Sequence, residues 1–301
     1  MSKMISTKKT ASMQRRKITG RTVTYIVLTV LSIIWIIPLI WMVLQAFAGA
    51  EGTYNSSSLV PSSFSLHWFK LLFTDEKYPY WRWFINTFVI AAVCFLLSTF
   101  LTISMAYVMS RFRFKSRKTI QSVGLILGMF PGFMSMAAIY YIFRSVGMVG
   151  GNDVANWKKL VALMLVYSGG AGLGYYVSKG FFDTISRSLD EAARIDGATN
   201  SQVFFKIILP LAKPIIVYTA LMSFLGPWGD FIFASYLLQG NTESWTVAVG
   251  LYRIITTGAD LKEYYNMFMA GAVFIAVPIT ILFICLQRYF VEGITGGAVK
   301  G

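Results

Sequence analysis

Charge is scarce in this chain of 301 residues: Asp, Glu, Lys and Arg make up 13%, and acidic residues number 13 against 27 basic ones. With 56% apolar residues, the composition excludes an ordinary soluble domain and places the chain in the membrane class. One histidine, His67, and two cysteines, Cys94 and Cys285, supply no set of side chains at metal-ligand spacing. Both cysteines fall inside apolar runs, where a thiol serves as a small packing group. Neither G-x-x-x-x-G-K-[ST] nor G-x-G-x-x-G occurs anywhere, so no phosphate-cradling loop is present. No cofactor is expected, and if ATP drives this protein another chain must bind it.

What is abundant is uncharged length. No charged residue occurs in 22–50, 83–110, 119–143, 160–178 or 264–287, and 214–242 contains only Asp230. Each run approaches or exceeds the ~20 residues that carry a helix across a ~30 Å hydrocarbon core. The reading is an all-α polytopic membrane protein with six transmembrane helices, at about 23–47, 84–109, 120–143, 160–182, 214–238 and 267–289. Pro38 in the first span predicts a kink. The spacing of Gly124, Gly128 and Gly132 predicts close packing within the bundle.

Short cytoplasmic loops retain Lys and Arg, and that rule orients the chain. Seven basic residues precede Thr22, and alternating outward from them puts nineteen of the 27 on one side. Both termini are therefore expected in the cytoplasm. The basic excess is a matter of topology, which excludes nucleic acid as a partner and leaves membrane lipid. Ala46-Phe47-Ala48 resembles a signal cleavage site, but the apolar run before it exceeds the ~7 to 15 residues of a signal core, so an uncleaved span is expected. The outer stretch 51–81 is rich in Ser and aromatics, as chain in the headgroup zone is.

The most informative stretch is Ser188 to Pro210, SLDEAARIDGATNSQVFFKIILP. Ser188 with Glu191 reads as a capping box opening a short helix. Leu189, Ala192 and Ala193 form its apolar stripe, and Gly197 supplies a left-handed corner. Thr199 with Gln202 reads as a second capping box, Val203, Phe204, Ile207 and Ile208 as a second stripe, and Pro210 as the stop.

In this stretch Glu191-Ala192-Ala193, Gly197, Ile207 and Leu209-Pro210 resemble the EAA loop of binding-protein-dependent ABC importer permeases, with no position missing. From about Trp83 onward the chain is similar to the sugar subgroup, notably the second membrane subunit of maltose and maltodextrin importers. Ile207-Ile-Leu-Pro-Leu-Ala-Lys-Pro214, Thr246-Val-Ala-Val-Gly250, Pro278-Ile-Thr280 and the tail from Gly293 to Gly301 carry that likeness. Related sugar permeases often have Asn where Gly229 stands. The resemblance implies an ABC transmembrane type-1 permease domain at 83–290 with a coupling segment at 183–213, after a basic tail (1–22) and a first span with its external segment (23–82), and before a tail at 291–301. It implies ATPase coupling through Glu191, Ala192, Ala193, Arg194, Asp196, Gly197, Ile207, Leu209 and Pro210. The implied partners are a homologous second permease, two copies of a cytoplasmic ATPase, an external or periplasmic sugar-binding protein and an oligosaccharide substrate. The chain itself is expected to be non-catalytic.

Asp230, in Gly226-Pro-Trp-Gly-Asp-Phe231, is the one carboxylate within the runs. An intramembrane charge is costly unless it faces protein or water, so Trp228 and Asp230 are the candidate pathway residues. The bland alternative pairs Asp230 with Arg253 or Lys262 near the span's outer end. The other functional classes are a secondary carrier or channel using Asp230 as an ion or proton site, and a non-transporting scaffold. Cysteines introduced at Ser12 and Ser116 are expected to react only with reagent added on the cytoplasmic side, and one at Ser57 only from outside. The opposite result at any of the three reverses the loop assignment.

Overall fold

A computed structural model of the chain describes residues 2–49, 60–171, 174–257 and 261–298. Among these the architecture is all helical, apart from an isolated bridge between Ala48 and Phe64. Helix α1 (Ser2–Ala46) runs from the basic tail through Pro38 as one helix. The short α2 (His67–Thr74) buries Trp68 and Leu72, while α3 (Tyr80–Arg111) is the central rod. The last helix, α14 (Leu261–Ala298), continues past the expected span end near residue 289.

The expected third span is broken into α4 (Arg117–Met129) and α5 (Gly132–Ser145), which meet at 101°. Proline lacks an N–H and disfavours helical geometry in the residue before it. Accordingly Phe130 and Pro131 lie at ψ 134° and 127°. Nothing lies within 4 Å of a Cβ added at Gly128 or Gly132. Close packing is therefore absent at Gly128 and Gly132, whereas Gly124 is buried.

The fourth apolar run is α6 (Asn156–Ala171) followed by α7 (Tyr175–Thr184), with residues 172–173 outside those described. The chain then turns through α8 (Arg187–Ile195), α9 (Asn200–Gln202), a π-helical turn (Val203–Ile208) and α10 (Leu209–Leu211). It enters α11 (Lys213–Gly229) at a bend of 79°. The short α12 (Ile232–Leu237) and α13 (Val247–Thr256) precede α14. Among the described residues four helical stretches are long and apolar enough to cross a membrane, and up to six if each bent pair counts as one span.

Helix α3 packs along α11, α6 and α7. In hydrocarbon, burying an apolar side chain against another helix yields little, so close packing and interhelical hydrogen bonds must hold the bundle. The first turns of α3 show both. Trp83 Nε1 donates to the Thr242 carbonyl (2.8 Å), Asn86 Nδ2 to the carbonyls of Glu243 (2.8 Å) and Trp245 (3.0 Å), and the Val247 N–H to Thr87 Oγ1 (2.8 Å). Tyr80 donates to the Gly271 carbonyl at 2.7 Å. From α6, the buried Lys159 donates to the Gln239 carbonyl (2.9 Å) and ties down the same loop.

The Trp83 ring lies so close to α13 that a Cβ at Gly250 would sit 2.0 Å from it. Because the indole is anchored to Thr242, it cannot swing aside. Gly250→Ala is expected to cost about 1 to 3 kcal/mol by overpacking, lowering the thermal unfolding midpoint in detergent. Gly169→Ala, in open space, is the control that leaves the midpoint unchanged or slightly raised.

Candidate functional site

The stretch from α8 to α10 is a helix, a glycine corner and a second helical run, but its local chemistry departs from expectation in three ways. The cap of α8 is Ser186, whose Oγ accepts from the Ser188 N–H at 3.3 Å. Ser188 therefore lies within the first turn, and Glu191 is exposed rather than closing a capping box. The expected apolar stripe is also split. Ala193 packs inward with Tyr107, Phe182, Val203 and Ile208, whereas Leu189 (42%) and Ile195 (86%) are exposed. Ala192, Arg194 and Asp196 are exposed beside them, and the inward companion of Ala193 is the charged Asp190.

Gly197 makes the corner at φ +83°. Its N–H bonds to the Arg194 carbonyl (3.0 Å) and the Ala198 N–H to the Ala193 carbonyl (2.9 Å), a Schellman end that satisfies two otherwise free carbonyls. The second capping box is present: Thr199 Oγ1 accepts from the Gln202 N–H at 3.3 Å and Gln202 Oε1 from the Thr199 N–H at 2.8 Å. The third departure is at Pro210, which does not end the run. The preceding turn widens to π geometry, with the Leu209 N–H bonding to the Phe204 carbonyl, and the helix continues through Pro210 to Leu211. Widening relieves the clash a proline ring makes with the carbonyl four residues earlier. Val203 and Ile208 are buried, Ile207 and Leu209 half-buried, and Pro210 exposed.

The second candidate region is the end of α11. With Gly226, Pro227 and Gly229 weakening it, the helix stops at Gly229, and Asp230 turns extended (ψ 104°). Asp230 Oδ1 accepts the Phe233 N–H at 3.0 Å, capping α12, while Oδ2 accepts the Tyr167 hydroxyl at 2.6 Å. The alternative partner Arg253 lies instead over the Trp245 ring, at 5.7 Å; the side chain of Lys262 is outside those described. Trp228 is buried against Phe84 (centroids 5.3 Å) and Phe224 (5.9 Å) and lines neither cavity described below.

The two partners of the Tyr167 to Asp230 contact line different cavities. One, of about 370 Å³, has a mostly apolar wall that includes the hydroxyl-bearing residues Ser98, Thr102, Tyr167, Ser178, Tyr218 and Thr219. The other, of about 720 Å³, lies between α5, α6 and α12, and Asp230 is the charged residue among its otherwise mostly apolar lining. Sequence reasoning missed Tyr167, Arg111 and Asp190; the signal for Asp190 was its place three residues before Ala193 on the inward face.

A bundle of long apolar helices with an amphipathic corner turned outward between two of them fits a multi-pass membrane transport permease. Residues 98–296 match the model of the family "Binding-protein-dependent transport system inner membrane component", and the chain belongs to that family. It is 38% identical over 288 residues to the maltodextrin permease MalD of Streptococcus pneumoniae, covering 95% of this chain and 98% of that protein. It is 35% identical over 293 residues to the galactooligosaccharide permease GanQ of Bacillus subtilis, covering 97% and 99%. MalG of Escherichia coli is 33% identical over 279 residues, covering 88% and 90%. A crystal structure of a bacterial ABC transporter that imports the acidic polysaccharide alginate shares the fold, with TM-score 0.74 at 21% identity, covering 91% of this chain and 97% of that one.

Removing the Tyr167 hydroxyl leaves Asp230 Oδ2 without the donor the structure gives it. Tyr167→Phe is therefore expected to destabilise the chain by about 1 to 3 kcal/mol, read as a lower unfolding midpoint in detergent. An unchanged midpoint would show that water replaces the phenol at no cost.

Proposed function

We propose that this chain is one of two different membrane subunits of an ATP-driven importer of neutral oligosaccharides of the maltodextrin type. It forms half of the translocation pathway, with six spans and both termini cytoplasmic. The single observation that carries the coupling role is the inverted face of α8: Leu189, Ala192 and Ile195 point outward while Asp190 and Ala193 point in. A helix that exposes its apolar residues beyond the bundle is made to be covered by another protein. In this reading the cover is a cleft on the cytoplasmic ATPase, one of two copies. Glu191, Arg194 and Asp196 are exposed to contact it, and Gly197, Ile207, Leu209 and Pro210 hold the corner in place.

The substrate reading follows from the cavity chemistry. Hydroxyl side chains both donate and accept, which suits a ligand made of hydroxyl groups. Relatives that carry maltodextrins and galactooligosaccharides both handle neutral hexose chains, and the likeness favours the former. An external sugar-binding protein delivers the sugar; the solved complex of an alginate ABC transporter with a pentasaccharide-bound periplasmic protein gives the precedent. Asp230 borders the path, and Asp230→Asn is expected to alter uptake without impairing membrane insertion.

The test is uptake of labelled maltotetraose by proteoliposomes holding this chain, its partner permease, the ATPase and the binding protein. Import should require ATP and all four components and should exceed that of a galactooligosaccharide of equal length. Gly197→Val forces a β-branched residue to φ +83°, strained by roughly 1 to 3 kcal/mol although the space around it is open. It is expected to lower ATPase retention or sugar import at least tenfold while the chain still inserts. Uptake by the chain alone, driven by an ion gradient, would establish the carrier reading instead.

A further inference from the structure

We infer that Arg111 and Asp190 form a buried clasp that passes movement of the coupling helix α8 sideways into α3, and so into the wall of the hydroxyl-lined cavity. This inference rests on the importer reading above and adds to it the route the motion takes. Besides the link back to α7 and the apolar packing of Ala193, two routes lead from α8 into the bundle. One follows the chain, but it crosses the Gly197 corner, the π turn at Val203–Ile208 and the 79° bend before α11. Each is a place where regular helical bonding is interrupted, so displacement is absorbed along it.

The lateral route is short and stiff. Arg111 Nε lies 3.4 Å from Asp190 Oδ2, with side chains only 4% and 11% exposed. The same guanidinium donates from its terminal nitrogen to the Ile185 carbonyl at 2.9 Å. In the reverse sense Arg187, in the first turn of α8, donates to the Ser110 carbonyl at 3.0 Å. Ser110 Oγ in turn donates to Asp183 Oδ1 at 2.6 Å, and Lys179 pairs with the other oxygen of that carboxylate. Thus two adjacent residues at the end of α3 hold the stretch 183–190 by links running in both directions.

The burial decides the role. An exposed pair would be screened and worth little, whereas a buried one cannot lose a partner without stranding a charge. Neither Arg111 Nε nor Asp190 Oδ1 has a hydrogen-bond partner, so the contact is held by opposite charge more than by bond angle. Coulomb attraction falls slowly with distance, which lets α8 tilt by a fraction of an ångström while staying attached. Helix α3 carries Cys94, Ser98 and Thr102 of the cavity wall, so a shift at its Arg111 end reaches the pathway through one rigid element.

The experiment uses the complete complex in proteoliposomes, reading labelled maltotetraose imported per ATP hydrolysed. Asp190→Asn is expected to lower that ratio at least tenfold with the ATPase still bound, and Asp190→Glu to keep it within threefold. A residue that merely stabilised the fold would reduce assembled complex and scale uptake and hydrolysis together. An unchanged ratio in Asp190→Asn, or equal losses in Asn and Glu variants, overturns the clasp. Should Asp190→Asn fail to assemble, Arg111→Gln, which removes the charge while keeping a polar side chain of similar reach, is read by the same ratio, and wild-type coupling there overturns it. A wild-type complex that imports no maltotetraose on ATP would remove the importer reading itself, an outcome distinct from wild-type import with unaltered variants.

Discussion

Every backbone N–H and C=O within hydrocarbon must find a partner inside the protein, because no water is there to supply one. Most of this chain meets the requirement by being helix, and the places where it stops being helix are those that matter. At Gly229 the helix ends, and the Asp230 carboxylate takes up the Phe233 N–H that opens α12. At Phe130 and Pro131 the break borders the larger cavity, whose lining includes Gly132 and Phe133. Both interruptions therefore border the larger cavity, and at the proline break Phe130 (62%) and Phe133 (66%) are exposed on the surface of the chain. The Tyr167 to Asp230 contact, between a residue lining one cavity and a residue lining the other, lies at such a break. A single carboxylate there caps a helix and fixes a tyrosine at once.

The α8 segment obeys the opposite logic. A surface helix ordinarily turns its charges out and its apolar side in, yet here Asp190 is inside and Leu189 and Ile195 are outside. Inward charge gives α8 a directional attachment, and outward apolar surface gives it a site for another protein to cover. The corner at Gly197 sets the angle between the two helical pieces, and the space where a side chain would stand is open.

The composition and its uncharged runs made the helical membrane class legible, and Gly197, the Thr199 capping box and the break near Asp230 were readable from local residue chemistry. What escaped was whatever depends on a neighbour. Ser188 and Glu191 fit a capping pattern, but Ser186 stands two residues earlier, and the path of the chain leaving α7 decides which serine caps. Pro131 lay in an apolar run long enough for one span, and run length alone hid a 101° turn. Pro210 read as a stop because the widened π turn that accommodates it is invisible in an apolar stripe. Trp228 drew notice through its place two residues before Asp230, yet Trp228 is still on α11 and joins the aromatic core, while Asp230 lies past the helix end. Arg111 looked like one more basic residue of a topology-setting loop, since its partner is 79 positions away.

Helix α1 stands apart from all of this. From Val23 to Ile40 its large apolar side chains are exposed within the chain, and contact with α14 is confined to its last turns, as where Trp41 meets Tyr265 and Asn266 bonds to the Gln45 carbonyl. Lipid is as apolar as leucine, so these positions ask for a hydrophobic residue of no particular shape, whereas Gly250 beneath Trp83 admits no other. The two ends of the molecule should therefore age differently over evolutionary time. Substitutions among Leu, Ile, Val and Phe can accumulate along α1 almost freely, and the shared family segment, which begins only at residue 98, lies wholly downstream of it.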